Sequence, residues 1–211
     1  MKRFAVDLHY LPNLEFFAAI SGADELLVFP DDLYQRQSFL NRTQIRLTNK
    51  VETLSVPVQG RRPKIPINEV LIDYSQKWQS IHLRGIQSAY GKAPFFEYFF
   101  PYLEGILIKK PEKLWDLNWE MLTLCLKLLQ SNVKLVKSKS DFDLTEVKDI
   151  RSQIAPKTSF SVRSYYNPVV YGQLFGLDFV PDLSVVDLLF CEGPAAKNII
   201  LKSVKKTMNN R

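Results

Sequence analysis

The chain has 211 residues, of which 46% are hydrophobic, with only 8 Gly and 12 Pro. That is enough apolar side chain for one substantial core, and it excludes a disordered tail or a fibrous repeat. The net charge of +6 is concentrated in two acid-free stretches, one holding Lys127, Lys134, Lys137 and Lys139, the other Lys197, Lys202, Lys205, Lys206 and Arg211. Together these exceed the net charge, so the rest of the chain is mildly acidic, which favours solvated helix faces over a spread nucleic-acid-binding surface.

The opening Met1-Lys2-Arg3 and Phe4-Ala5-Val6 start like a signal peptide, but Asp7 and His9 interrupt the apolar run. Residues 2–8 alternate as a first strand. Leu14, Phe16, Phe17 and Ile20 have helical spacing, with Pro12 expected in the first turn and Gly22 closing the helix. Glu25 to Phe29 is a second strand, so the chain begins with a βαβ unit. Residues 44–47 and 52–58 read as a β-hairpin around Asn49-Lys50, followed by an exposed loop over 59–66. A short strand is expected at 70–72, then a helix from Gln76 to Tyr90 capped by Ser75, and further helices over 94–108 and 114–129. No stretch reaches the roughly 18 apolar residues of a membrane span, so no membrane insertion is expected.

Residues 133–136 are the next strand, and 138–149 form a charged, mobile connection. A helix over 183–190 ends at Gly193-Pro194, and a basic helix starts at Ala195. The fold class expected is α/β: a single domain over residues 1–211, a mixed sheet with flanking helices. Cys125 and Cys191 sit in Leu-rich surroundings and read as buried free thiols, which agrees with a reducing, cytoplasmic compartment.

Chemistry is expected in the polar loop after the second strand, because strand ends in α/β folds form crevices. Asp31 and Asp32 there can accept sugar hydroxyl protons or act as a base, and Arg36 or Arg42 can bind a phosphate or carboxylate through a planar guanidinium. An ordered surface loop of Arg–Asp pairs is the alternative. His9, at the end of the first strand, and His82 suit proton transfer near neutral pH, though either can equally be a satisfied structural residue. The catalytic candidates are thus His9, Asp32 and His82. Scattered His and Cys do not form a zinc site, the adjacent acids Asp31 and Asp32 are only a weak signal for a metal and none is assigned, and the cofactor is unknown: neither a glycine-rich phosphate loop, a dinucleotide fingerprint nor a Gly-x-Ser-x-Gly elbow occurs.

Tyr10-Leu11-Pro12, Tyr34 to Arg42 with Asn41-Arg42, Ser55-Val56-Pro57-Val58, Trp78 with His82, Tyr90 before Pro94-Phe95-Phe96, and Leu183 to Phe190 occur in that order. This series resembles the WbqC-like family, in the form common in Bacteroidetes-type bacteria. Leu8-His9 stands where members usually carry Gln-Pro, and Asn13 where an aromatic residue is frequent. The family's namesake is encoded among O-antigen synthesis genes, so the resemblance implies work on a surface saccharide. The expected activity is transfer of a group to a sugar or sugar-nucleotide intermediate; the alternative is a non-catalytic ligand-binding or assembly protein of the same pathway. Carried over residue by residue, the recurring polar positions add Tyr10, Tyr34, Arg36, Asn41, Arg42, Tyr90, Tyr171, Gln173 and Asp187 as ligand-binding candidates.

Overall fold

A computed structural model describes residues 1–60, 64–156, 163–176 and 178–205. The strands β1 (Arg3–Ala5), β2 (Glu25–Val28), β5 (Lys134–Lys137) and β6 (Val147–Asp149) form a parallel sheet in the order β5-β2-β1-β6. A separate antiparallel hairpin pairs β3 (Arg42–Arg46) with β4 (Val51–Ser55). The helices are α1 (Leu14–Ala19), α2 (Trp78–Tyr90), α3 (Phe96–Ile108), α4 (Leu114–Leu128), α5 (Val185–Glu192) and α6 (Ala196–Lys202). None is long and apolar enough to cross a membrane.

The period of two along each strand divides the sheet between two apolar clusters. Phe4, Val6, Leu26 and Val28 face the main core, which gathers side chains from all six helices. Ala5, Leu27 and Phe29 face the other side, where Val136, Phe142, Leu144 and Val147 cover them. The charged connection after β5 therefore has a packing role. It carries Phe142 and Leu144 under the sheet, bringing the chain from one edge strand, β5, to the other, β6.

The short strand β6 lies inside a segment whose sequence predicts only a connection. Val147 is its one apolar residue, and pairing with β1, with Arg3 opposite Val147 and Ala5 opposite Asp149, makes it a strand. Three smaller features also differ from the sequence reading. Asn13, not Pro12, begins α1, its side chain accepting the Phe16 N–H at 3.2 Å. Lys77 precedes α2 without a side-chain cap, Ser75 being tied instead to Asp73. The strand expected at 70–72 is reduced to single bridges, Leu71 with Lys113 and Ile72 with Val58. Within the exposed loop 59–66, residues 61–63 lie outside the described residues.

Candidate functional site

The chain order in the parallel sheet reverses where β6 adds beside β1, and ligand crevices in open α/β sheets form outside the carboxyl ends of the strands at such a point. A cleft of about 610 Å³ opens there, lined by Asp7, Asp32, Leu33, Gln35, Asp149, Arg151, Ser152 and Gln153. Asp7 follows β1, Asp32 to Gln35 follow β2, and Asp149 to Gln153 end and follow β6. Three strand ends thus supply one polar wall.

Arg151 organises the wall. Its Nη1 donates to both oxygens of Asp32 at 3.0 and 3.3 Å, while Nε and Nη2 donate to Asp149 at 3.0 and 2.6 Å. These bonds hold the Asp149 carboxyl below the usual range. Asp7 accepts the Ser152 N–H at 2.5 Å, and burial, opposed by that bond, pushes its carboxyl up to about 6. Burial likewise raises Asp32, against the pull of Arg151. Neighbouring carboxyls whose environments separate their proton affinities are suited to different tasks: Asp149 stays ionised and can bind, while Asp7 can exchange a proton near neutral pH.

With its guanidinium committed to two carboxylates, Arg151 is poorly placed for bidentate capture of a phosphate. Gln153 is engaged with the Asp149 carbonyl and the Tyr165 hydroxyl, and Gln35 donates to the Ser152 hydroxyl at 3.2 Å, so the wall chiefly offers acceptor oxygens, which suit a ligand rich in hydroxyl or amine donors. The N-terminus of α1, which faces the phosphates in dinucleotide folds, is closed by protein: Asp182 accepts the Glu15 N–H at 2.7 Å and the Asn13 amide at 2.8 Å. Arg163 balances Asp182 and Glu15 there.

Among the sequence candidates, Asp32 lines the cleft. His9 is buried against Phe16 and Phe39, its Nδ1 has no hydrogen-bond partner among the described residues, and burial lowers its pKa to about 3. His82 is also buried and lowered to about 4. Its Nε2 lies 3.2 Å from the Ser55 carbonyl, which can only accept, so Nδ1 is the acceptor for the Tyr10 hydroxyl at 3.0 Å. Leu11 next to it has φ +43°, a left-handed backbone; its carbonyl receives the hydroxyls of Thr43 and Ser184 at 2.8 and 3.0 Å, which hold the turn in place.

Tyr90, Tyr171, Gln173 and Asp187 come together in a second buried group. Asp187 receives the Tyr171 hydroxyl at 2.6 Å, the Tyr90 hydroxyl at 2.9 Å and the Gln173 amide at 3.3 Å, and Tyr90 accepts the Arg46 N–H at 3.2 Å. Burial raises the Asp187 carboxyl despite these donors. Asn41 bonds the Val56 carbonyl at 2.9 Å, Tyr34 is buried, and Arg36 is exposed in the loop. Arg42 opens β3 with its Nε buried and without a hydrogen-bond partner among the described residues. None of these four lines the cleft. Cys125 and Cys191 are free thiols, both pushed up to about 12, chiefly by burial.

Asp7, Asp149 and Arg151 are not among the residues that the sequence marks as a site. Their one local signal is the place of Asp7 at the end of the first strand, two residues before His9. No group of His, Cys, Asp and Glu among the described residues has a metal-holding arrangement.

A parallel sheet with an order reversal, a polar crevice at its carboxyl edge and a hairpin locked on by buried hydroxyls define an α/β protein. The sequence profile of the WbqC-like protein family matches residues 8–169, and the chain belongs to that family. It is also 28% identical over 228 residues to "Uncharacterized protein Rv1507c" of Mycobacterium tuberculosis (strain ATCC 25618 / H37Rv), across 95% of this chain and 98% of the relative. No solved structure matches.

Proposed function

We propose that the protein is an enzyme that transfers a group to a sugar or sugar-nucleotide intermediate of surface polysaccharide synthesis, with the saccharide held in the cleft at the β1–β6 junction. The observation that carries this reading is the wall of Asp7, Asp32, Asp149 and Arg151 at the order reversal of the sheet. The family resemblance supplies the surface-saccharide context.

Asp149, kept ionised by Arg151, accepts hydrogen bonds from the sugar and fixes its orientation. Asp7 is the general base. The acceptor hydroxyl attacks an activated donor, the new bond forms from the acceptor oxygen, the donor's leaving group departs with the bonding electrons, and the hydroxyl proton passes to Asp7. A carboxyl near 6 is a stronger base than an ordinary aspartate and is still largely ionised at pH 7.5. His9 and His82, buried and neutral, position the N-terminal turn without touching the reacting atoms.

Ligand-observed NMR with a panel of sugars and sugar nucleotides tests the assignment. Asp149→Ala should abolish the saturation-transfer signal and Arg42→Ala should leave it. Loss in Arg42→Ala with retention in Asp149→Ala would move the site to the arginine loop.

A further inference from the structure

Beyond the crevice, the same edge of the sheet carries a second cleft, of about 360 Å³, between the first turns of α4 and the end of β5. Its wall is Trp115, Asp116, Trp119, Glu120 and Lys137. The two indoles, four residues apart on one helix face, stack with centroids 5.7 Å apart and planes 26° apart. Lys137 lies over the Trp115 ring at 5.8 Å, so Trp115 is covered on the side of the strand. Trp115 is buried and Trp119 half-buried, leaving Trp119 as the ring that faces the opening.

The polar groups around this platform are largely uncommitted. Asp116 is exposed and has no ion-pair or hydrogen-bond partner among the described residues; neither does either indole nitrogen. Glu120 is paired with Lys109 at 2.6 Å. An aromatic face flanked by free acceptors and donors suits a ring that is apolar on its C–H face and carries hydroxyls at its edge.

Position links the two clefts. Parallel strands put all their carboxyl ends on one edge, so Lys137 at the end of β5 shares that edge with Asp7 and Arg151. Two strand spacings of about 4.8 Å separate β5 from β1 and a third reaches β6, which puts the strand ends of the two clefts roughly 10–14 Å apart. On the α4 side, Asn118 ties the helix to the end of β1 by donating to the Leu8 carbonyl at 2.8 Å.

We infer that the Trp119 cleft is a second saccharide subsite, so that the protein takes a chain of two or three sugar rings along the carboxyl edge of its sheet instead of a single sugar. This rests on the reading of the crevice as a sugar site. The second ring binds at the effective concentration set by the first, so affinity should climb with chain length.

The test uses the full chain and gluco-, manno- and N-acetylglucosamine oligomers of one to three rings, followed by intrinsic tryptophan fluorescence and ligand-observed NMR. Trp78, the remaining tryptophan, is buried in the core and serves as a constant background. Affinity should rise at least ~10-fold from one ring to three. Trp119→Ala and, separately, the exposed Asp116→Ala should flatten that rise while leaving the single-sugar signal, and Asp149→Ala should remove the single-sugar signal. Length dependence that survives both Trp119→Ala and Asp116→Ala overturns the subsite alone, as does single-sugar binding with no length dependence or quenching by a mononucleotide and by no saccharide. No binding of any saccharide overturns both the subsite and the crevice reading.

Discussion

Asp7 at the end of β1 accepts the backbone N–H of Ser152 at 2.5 Å, tying the first strand's exit to the loop that follows the last strand of the sheet. The two residues are 145 positions apart. The bond closes the floor of the crevice at the one place where the sheet order reverses, and it holds Ser152 in a left-handed conformation at φ +59°.

Asp7 should trade stability for function. Its folded pKa of about 6 lies above the ordinary 3.8, so the folded state binds the proton more tightly. Stability from this group is complete below pH 3.8 and is lost as pH rises through about 6. The difference corresponds to about 3 kcal/mol at most, and about 2 after solvent screening at a partly exposed site. Asp7→Asn should therefore raise the urea midpoint at pH 7.5, leave it nearly unchanged at pH 4, and lower transfer activity at least ~100-fold. Equal midpoint shifts at both pH values would show that the carboxyl is not perturbed.

Arg151→Ala leaves Asp32 and Asp149 without their shared cation and should cost about 1–2 kcal/mol, since the group is partly exposed. Arg151→Lys should recover less than half of this, because a point charge cannot reproduce the fork that spans two carboxylates. Chemical denaturation of the three proteins at neutral pH checks both statements. Full recovery by lysine would mean that charge alone, without geometry, holds the wall.

The two imidazoles should stay neutral well into the acid range. Their pKa values, about 3 for His9 and about 4 for His82, are depressed below 6.5 by burial. A depressed histidine contributes stability that is present above pH 6.5 and is lost as pH falls towards the folded value. NMR of the ring protons should show no titration between pH 8 and pH 5. Titration of either ring near 6.5 would place it in contact with solvent.

Asp187→Ala strands two tyrosine hydroxyls in the core, while the Gln173 amide keeps its bond to the Val180 carbonyl, and should cost about 2–4 kcal/mol. Tyr90→Phe and Tyr171→Phe, combined in a double-mutant cycle, should be non-additive by more than ~0.5 kcal/mol, because both hydroxyls serve one carboxylate. Additivity within error would argue that the two bonds are independent.

Much of the fold follows from local pattern, and much of the site does not. The βαβ start, the hairpin and the four longer helices are visible because their apolar periodicity is strong. The strand β6 is not, since Val147-Lys148-Asp149 becomes a strand only through pairing with Arg3 to Ala5. Without β6 there is no order reversal, and without that nothing marks Asp7, Asp149 or Arg151 as neighbours. Asp32 was legible because it sits on the loop after a recognisable strand. The blocks that carry the family resemblance include several polar residues bound in the interior: Tyr10 meets His82, His82 meets Ser55, Asn41 meets Val56, and Tyr90 meets Asp187. Polar types at buried positions look like site residues in a sequence because the same donors and acceptors serve both purposes.

The saccharide is proposed to sit in the crevice at the β1–β6 junction. A crystal structure of the protein purified from its native cell extract, searched for a retained ligand, addresses this placement most directly. Density for a hydroxylated ring is expected within hydrogen-bond distance of Asp7 and Asp149. A ligand seated instead against Arg36 and Arg42, with only solvent beside Asp7, would contradict it.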